Sequence, residues 1–334
     1  MARVGIIGGG AFGTAMACVL SRRGHDIVVW AREPEVVESI NRDRVNATFL
    51  SGVPIPERIV ATGDLAAAGE RQDFILMVVA AQHVREVALN LHPFVATGTP
   101  VVACSKGIER TSCELMPEVL AATLPEANIA VLSGPSFARE IAADLPCAVG
   151  LGCADADVRA QLAREIANPR FCVHSSDDLI GVTIGGVMKN VIGIASGISA
   201  GRKLGENARS TLVTLGLAET MRLGLAKGAR AETFTGVSGI GDLMLSANSM
   251  QSRNTSLGFA LGEGKKLAEV LAGRREVTEG AFSTEAVAAL AKRLGIDMPI
   301  TFALDEVLNH GVDLEAAMAR LMTRLIAAAP GIAT

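Results

Sequence analysis

The sequence places a lysine where a lysine is expensive. From Leu179 to Gly201 the only charged residue is Lys189, and glycines stand at 181, 185, 193, 197 and 201, at steps of four from it. In a helix, each step of four turns the side chain by only about 40°. Gly185 and Gly193 therefore lie on nearly the same face as Lys189. The pattern predicts a bare, closely approachable surface with one ammonium in its middle. Burial disfavours the charged form and lowers a lysine pKa. A proton donor or acceptor working near neutral pH needs that shift. The competing reading is a lysine that snorkels to solvent or pairs with a carboxylate for structure.

A second constellation has the form of an anion site, its alternative being a glycine turn that binds no ligand. Gly8-Gly9-Gly10-Ala11-Phe12-Gly13 fits G-x-G-x-x-G after an apolar strand and before a helix. Gly8 permits the tight turn, Gly10 lets a pyrophosphate approach the backbone, and Gly13 allows helix–sheet packing, with the helix N-terminus facing the anion. NAD-binding versions usually end the next strand with an acid for the ribose hydroxyls. Here that strand ends Trp30-Ala31-Arg32. Arg32 is placed to meet a 2′-phosphate, which predicts NADP(H) as preferred cofactor; Glu33 leaves NAD(H) use open.

Three more segments have the form of ligand loops. Leu132-Ser133-Gly134-Pro135-Ser136-Phe137-Ala138 follows a strand and offers backbone and hydroxyl donors. Ser252-Arg253-Asn254 precedes an apolar helical stretch, and hydroxyl, guanidinium and amide at a helix start suit a phosphate. Asp242, among glycine-rich turns, could bond Lys189 or a substrate hydroxyl. Ser105-Lys106-Gly107 follows a strand at the C-terminal sheet edge, where ligands bind in such folds. The bland alternatives are ordinary strand–helix turns, an N-cap with a surface arginine, and a solvated lysine.

These loops need a framework. Val/Ile-rich runs at Arg3–Gly8, Ile27–Ala31, Phe74–Ala80, Pro100–Cys104, Ile129–Ser133, Cys147–Gly152 and Phe171–His174 read as strands covered on both faces. Helical stretches Thr14–Arg23, Pro34–Asn41, His83–Leu91 and Ala156–Ala167 lie between them. This is α/β: a doubly wound Rossmann-type parallel sheet with right-handed crossovers. After Asp178 only helical patterns follow: Thr211–Leu225, Ser256–Leu261, Ser283–Leu294, Thr301–Asn309 and Glu315–Ile326. The expected division is a dinucleotide-binding domain, 1–178, and an all-helical substrate-binding and catalytic domain, 179–334. At roughly 150 residues per domain, 334 residues also suggest two.

Composition narrows the partners. Lys+Arg 31 against Asp+Glu 35 removes the electrostatic case for nucleic acid, and aromatics at 3% leave few platforms for stacking bases. A mean hydropathy of +0.37 raises the question of membrane or export. The uncharged stretch Val4–Ser21 could be a signal segment, with Ala15-Met16-Ala17-Cys18 a faint lipoprotein site. Its five glycines fit a strand-to-helix turn better, so a cytoplasmic protein with no membrane partner is expected. None of the six cysteines forms C-x-x-C, and the five histidines are scattered. That predicts reduced thiols, with Cys104, Cys147 and Cys172 in core strands, and no metal site. A homodimer is expected from the apolar helical half.

Taken together, the segments resemble the NAD(P)-dependent glycerol-3-phosphate dehydrogenases in their bacterial form, from residue 3 to about 325. The matching pieces are GIIGGGAFGTAMA at 5–17, CSKGIE at 104–109, LSGPSFARE at 132–140, IGGVMKNVIGIASGI at 184–198, GENARSTLVTLGLAE at 205–219 and TGVSGIGDLM…QSRN at 235–254. The resemblance implies reduction of dihydroxyacetone phosphate to sn-glycerol 3-phosphate, for phospholipid synthesis. It carries the proton acceptor onto Lys189 and substrate contacts onto Lys106, Gly134, Ser136, Asp242, Ser252, Arg253 and Asn254. Cofactor contacts fall on Ala11, Phe12, Arg32, Lys106, Ala138, Arg253, Val277 and Glu279. Asn190 is left unassigned. Ala11 stands where the family often has Ser, and Phe12 where it often has Trp or Tyr; neither change affects backbone phosphate binding. The rivals are a β-hydroxyacid or ketopantoate-type reductase, and a dinucleotide sensor without turnover.

Overall fold

The computed structural model describes residues 1–272 and 279–327. Among these, eight strands form one sheet: β1 (Arg3–Ile7), β2 (Asp26–Trp30), β3 (Ile59–Thr62), β4 (Phe74–Met77), β5 (Pro100–Ala103), β6 (Asn128–Ser133), β7 (Cys147–Cys153) and β8 (Phe171–Ser176). Their order is β3-β2-β1-β4-β5-β6-β7-β8. The first six have the doubly wound order, with its switch point between β1 and β4, where such folds bind ligands.

Helices α1 (Ala11–Arg22), α2 (Pro34–Glu38), α3 (Leu65–Gly69), α4 (Val84–Leu91), α5 (Met116–Thr123), α6 (Ala138–Ala142) and α7 (Ala156–Ile166) connect the strands. Val4, Ile6, Ile75, Leu76, Val101 and Val102 are wholly buried, as expected for strands covered on both faces.

Three expectations are corrected here. The pattern of apolar runs does not predict β3. It is a short edge strand whose residues alternate between buried and less buried, so it carries no continuous apolar run. The sheet is not wholly parallel: β7 runs antiparallel to β6, pairing Ala130 with Cys153. The link between them carries only the five-residue α6, which packs on α1 instead of crossing the sheet. Cys172 is not a core thiol. It lies on edge strand β8 and is exposed, although all six cysteines are free.

The helical half follows with α8 (Leu179–Gly201), α9 (Glu206–Ala226), α10 (Asp242–Asn248), α11 (Arg253–Gly262), α12 (Leu267–Ala272), α13 (Glu279–Leu294), α14 (Pro299–Asn309) and α15 (Leu314–Ala327). No strand occurs here among the described residues. By length and composition α8 could cross a membrane, but most of it is buried among α9, α10, α11, α13 and α14. Asp178 caps its N-terminus: Oδ1 accepts from Gly181 N (2.8 Å), and Oδ2 accepts from Arg230 N (2.9 Å) and Thr233 Oγ1 (2.6 Å).

Candidate active site

The phosphate turn joins β1 to α1. Gly8 has φ +130°, and a Cβ there would lie 2.9 Å from the Val78 carbonyl carbon. At Gly13 a Cβ would stand 2.0 Å from Gly8 O, whereas at Gly10 it would meet open space. The two flanking glycines thus allow backbone contact, and the middle one leaves an approach free. Gly10 caps α1 with no side-chain hydrogen bond, so the first-turn N–H groups remain available to an anion. Ala11 and Phe12 open the helix, half-buried. Asn46 braces the turn from below: its Nδ2 donates to Gly9 O and Thr14 Oγ1, both at 2.8 Å. Sequence reading missed it because no motif marks it. Arg32 lies beside the turn and ion-pairs with Glu33.

The glycine face of α8 is not bare, contrary to expectation. A Cβ on Gly185 would sit 2.1 Å from Ser238 O, on Gly197 2.1 Å from Thr255 O, and on Gly201 2.3 Å from Phe259 O. From the other side, a Cβ on Gly258 of α11 would sit 1.9 Å from Ile194 O. Missing side chains let the two helix backbones touch. The close crossing brings the start of α11 toward Lys189: Gly193 faces Thr255, Asn254 and Ser252.

Lys189 and Lys106 share one carboxylate. Lys189 Nζ lies 3.4 Å from Asp242 Oδ1, and Lys106 Nζ lies 2.6 Å from Oδ2. Asp242 is 1% exposed, Lys189 14% and Lys106 17%. Lys106 Nζ also donates to Gly134 O at 2.6 Å, and Ser136 Oγ donates to the same oxygen at 2.9 Å. Burial pulls the Lys189 pKa from 10.5 down to about 8; Asp242 opposes the fall, while Lys106 and Arg253 add to it. An amine so tuned can give or take a proton near neutral pH.

Asn190, unassigned by sequence, is the hub beside this pair. Its Nδ2 donates to Lys106 O (2.7 Å), and its Oδ1 accepts from Asn254 Nδ2 (2.7 Å). Asn254 Oδ1 in turn accepts from Gly280 N at 3.0 Å. One chain of amides thus ties the loop after β5 to α8, α11 and α13. Ser252 Oγ accepts from Thr255 N at 3.3 Å and caps α11, so Ser252-Arg253-Asn254 stands at a helix start as expected.

Glu279 starts α13 and reaches back to the sheet half, where Oε1 accepts from Ala81 N at 3.0 Å. Burial raises its pKa, and its Oε2 is buried without a hydrogen-bond partner. Gly107 packs on it; a Cβ there would lie 2.7 Å from Oε2. Arg253 acts electrostatically on both Glu279 and Lys189. Ala138 opens α6, half-buried. Val277 lies outside the described residues. Sites predicted from both halves of the sequence therefore meet at the C-terminal edge of the sheet.

Comparison with known proteins addresses the arrangement as a whole. The family model for the NAD-dependent glycerol-3-phosphate dehydrogenase N-terminus matches residues 3–159, and the model for its C-terminus matches 178–319. The chain belongs to the NAD-dependent glycerol-3-phosphate dehydrogenase family. A glycerol-3-phosphate dehydrogenase (NAD(P)+) of Parvibaculum lavamentivorans is 49% identical over 96% of each chain. One of Rhodospirillum rubrum is 48% identical, over 96% of this chain and 92% of its own. The crystal structure of glycerol-3-phosphate dehydrogenase from Coxiella burnetii has a TM-score of 0.92 at 39% identity, covering 96% of this chain and 98% of that one. A ketopantoate reductase from Ralstonia eutropha, at TM-score 0.61 and 19% identity, shares the fold alone.

Proposed function

We propose that the protein reduces dihydroxyacetone phosphate to sn-glycerol 3-phosphate with NAD(P)H, NADP(H) preferred, supplying glycerophospholipid synthesis. The observation that carries this reading is Lys189, nearly buried, tuned to about 8 and held against Asp242 in a family member. The open approach at Gly10 and the orphaned buried Oε2 of Glu279 suit a dinucleotide. Gly8, Gly10, Ala11, Phe12, Gly13, Arg32, Lys106, Ala138, Arg253, Val277 and Glu279 would hold it. Bound cofactor supplies the hydride that adds to the ketone carbon.

The chain's own groups do the rest. Lys189, as ammonium, gives its proton to the ketone oxygen as negative charge develops there. In the reverse direction its free amine takes the hydroxyl proton. Lys106 adds positive potential over the oxygen and the phosphate. Asp242 keeps both lysines in position, while Ser252, Arg253 and Asn254 with Gly134 and Ser136 hold the phosphate ester. Asn190 positions Lys106 and Asn254 through its two amide bonds.

In this reading residues 1–178 form the dinucleotide domain and 179–334 the substrate domain. The gap between the two family matches and the start of α8 at Leu179 support that division. Free thiols and a small phosphorylated substrate fit a cytoplasmic protein, acting as a homodimer without a membrane partner. A substrate panel followed at 340 nm is the test. Oxidation of NADPH with dihydroxyacetone phosphate and not with ketopantoate supports the reading; the opposite selectivity rejects it.

A further inference from the structure

One ion pair beside the phosphate turn bears on cofactor choice. Arg32 follows β2 and is 74% exposed; its Nε (3.2 Å) and Nη2 (2.9 Å) both donate to Oε1 of Glu33, which is 28% exposed. Two donors on one oxygen is not the two-oxygen fork by which a guanidinium grips a carboxylate or phosphate most strongly. Glu33 is the N-cap of α2, but its side chain makes no capping bond; its backbone oxygen accepts from Val36 N at 3.0 Å. The side chain is therefore spare for α2 and engaged with Arg32. The pair adjoins the turn: Gly8 N donates to Trp30 O at 3.0 Å, and a Cβ on Gly9 would lie 2.6 Å from Ala31 Cβ.

We infer that Glu33 is a specificity-determining residue that competes with a 2′-phosphate for Arg32 and so narrows the preference for NADP(H) over NAD(H). The inference rests on the dinucleotide reading above. A 2′-phosphate must take the guanidinium from Glu33 and then stand near a freed carboxylate of like charge. A cofactor without that phosphate leaves the pair intact, and an acidic side chain after the second strand is the usual acceptor for ribose hydroxyls. The same carboxylate thus penalises one cofactor and serves the other. An exposed pair of this kind shifts an equilibrium by up to about fivefold.

Adenosine 2′,5′-bisphosphate and 5′-AMP separate the 2′-phosphate from turnover. Their dissociation constants are measured by isothermal titration calorimetry on the full chain, with fluorescence of Trp30, the one tryptophan, as a local readout. Glu33→Gln is expected to raise the preference for the bisphosphate about two- to fivefold, and Arg32→Ala to remove it. Glu35→Gln makes the same charge change on α2 at an exposed side chain and is expected to leave the ratio as in wild type. An unchanged or lower ratio in Glu33→Gln, or an equal gain in Glu35→Gln, overturns the inference alone. Wild type that binds neither nucleotide overturns the dinucleotide reading with it.

Discussion

Replacing Asp242 with Asn moves the pH window of catalysis downward. In the intact protein the carboxylate lies 3.4 Å from Lys189 Nζ and opposes the burial that brings that lysine from 10.5 to about 8. Asn keeps the shape and removes the charge. Lys106 and Arg253 then remain as positive neighbours, so the Lys189 pKa falls further. One opposite charge at this range is worth about one to three pH units. A lysine titrating at about 8 is roughly nine-tenths ammonium at pH 7; one lowered by one to three units is about one-half to one-hundredth ammonium. Reduction of the ketone consumes the ammonium, so activity in that direction is present below the pKa and lost as pH rises through it. At pH 7 Asp242→Asn therefore loses about two- to ninetyfold from protonation alone, and acidification recovers part of it. Oxidation of glycerol 3-phosphate uses the free amine, so its rise with pH moves to lower pH too. The assay is kcat/KM for dihydroxyacetone phosphate at saturating NADPH from pH 5 to 10, which reports the enzyme–NADPH complex that meets the ketone. Release of Lys106, also held by Asp242, lowers the amplitude but not the direction of movement. An inflection that stays near 8, or moves up, refutes the reasoning.

Two further substitutions test the framework. Gly258→Ala places a methyl 1.9 Å from Ile194 O and must push α11 off α8. It is expected to cost about 1–3 kcal/mol in denaturant unfolding and, by moving Asn254 away from Asn190, to raise KM for the phosphorylated substrate. Glu219 of α9 is fully buried and accepts from Ile300 N (2.6 Å), Thr301 N (3.1 Å) and Thr301 Oγ1 (2.7 Å) at the start of α14. Glu219→Ala strands these donors and is expected to lower stability by about 2–4 kcal/mol, read from the urea midpoint, with KM little changed.

What could be read in the sequence was local. Gly8, Gly10 and Gly13 lie within one short turn whose backbone packing is as their spacing predicts, and Lys189 stood out because its neighbours carry no charge. The halves of the fold were legible from the change after Asp178. The rest depends on contacts between distant segments. Asp242 lies far along the chain from both lysines it joins, and Asn190 gains its meaning from Lys106 O and the Asn254 amide. The glycines of α8 were read correctly as permitting close approach, but periodicity cannot say what approaches; it is α11 and the Ser238 backbone. The edge strand β3 and the reversal at β7 are not legible either, each for its own reason. A half-covered strand lacks a continuous apolar run, and strand direction depends on where the connecting helix packs.

The central claim is that Lys189 is the proton donor for ketone reduction. Its most direct measurement pairs turnover with cofactor binding in Lys189→Ala, using the 340 nm rate with dihydroxyacetone phosphate and the NADPH dissociation constant from Trp30 fluorescence. The account predicts loss of turnover with NADPH binding retained. Substantial remaining turnover would contradict it.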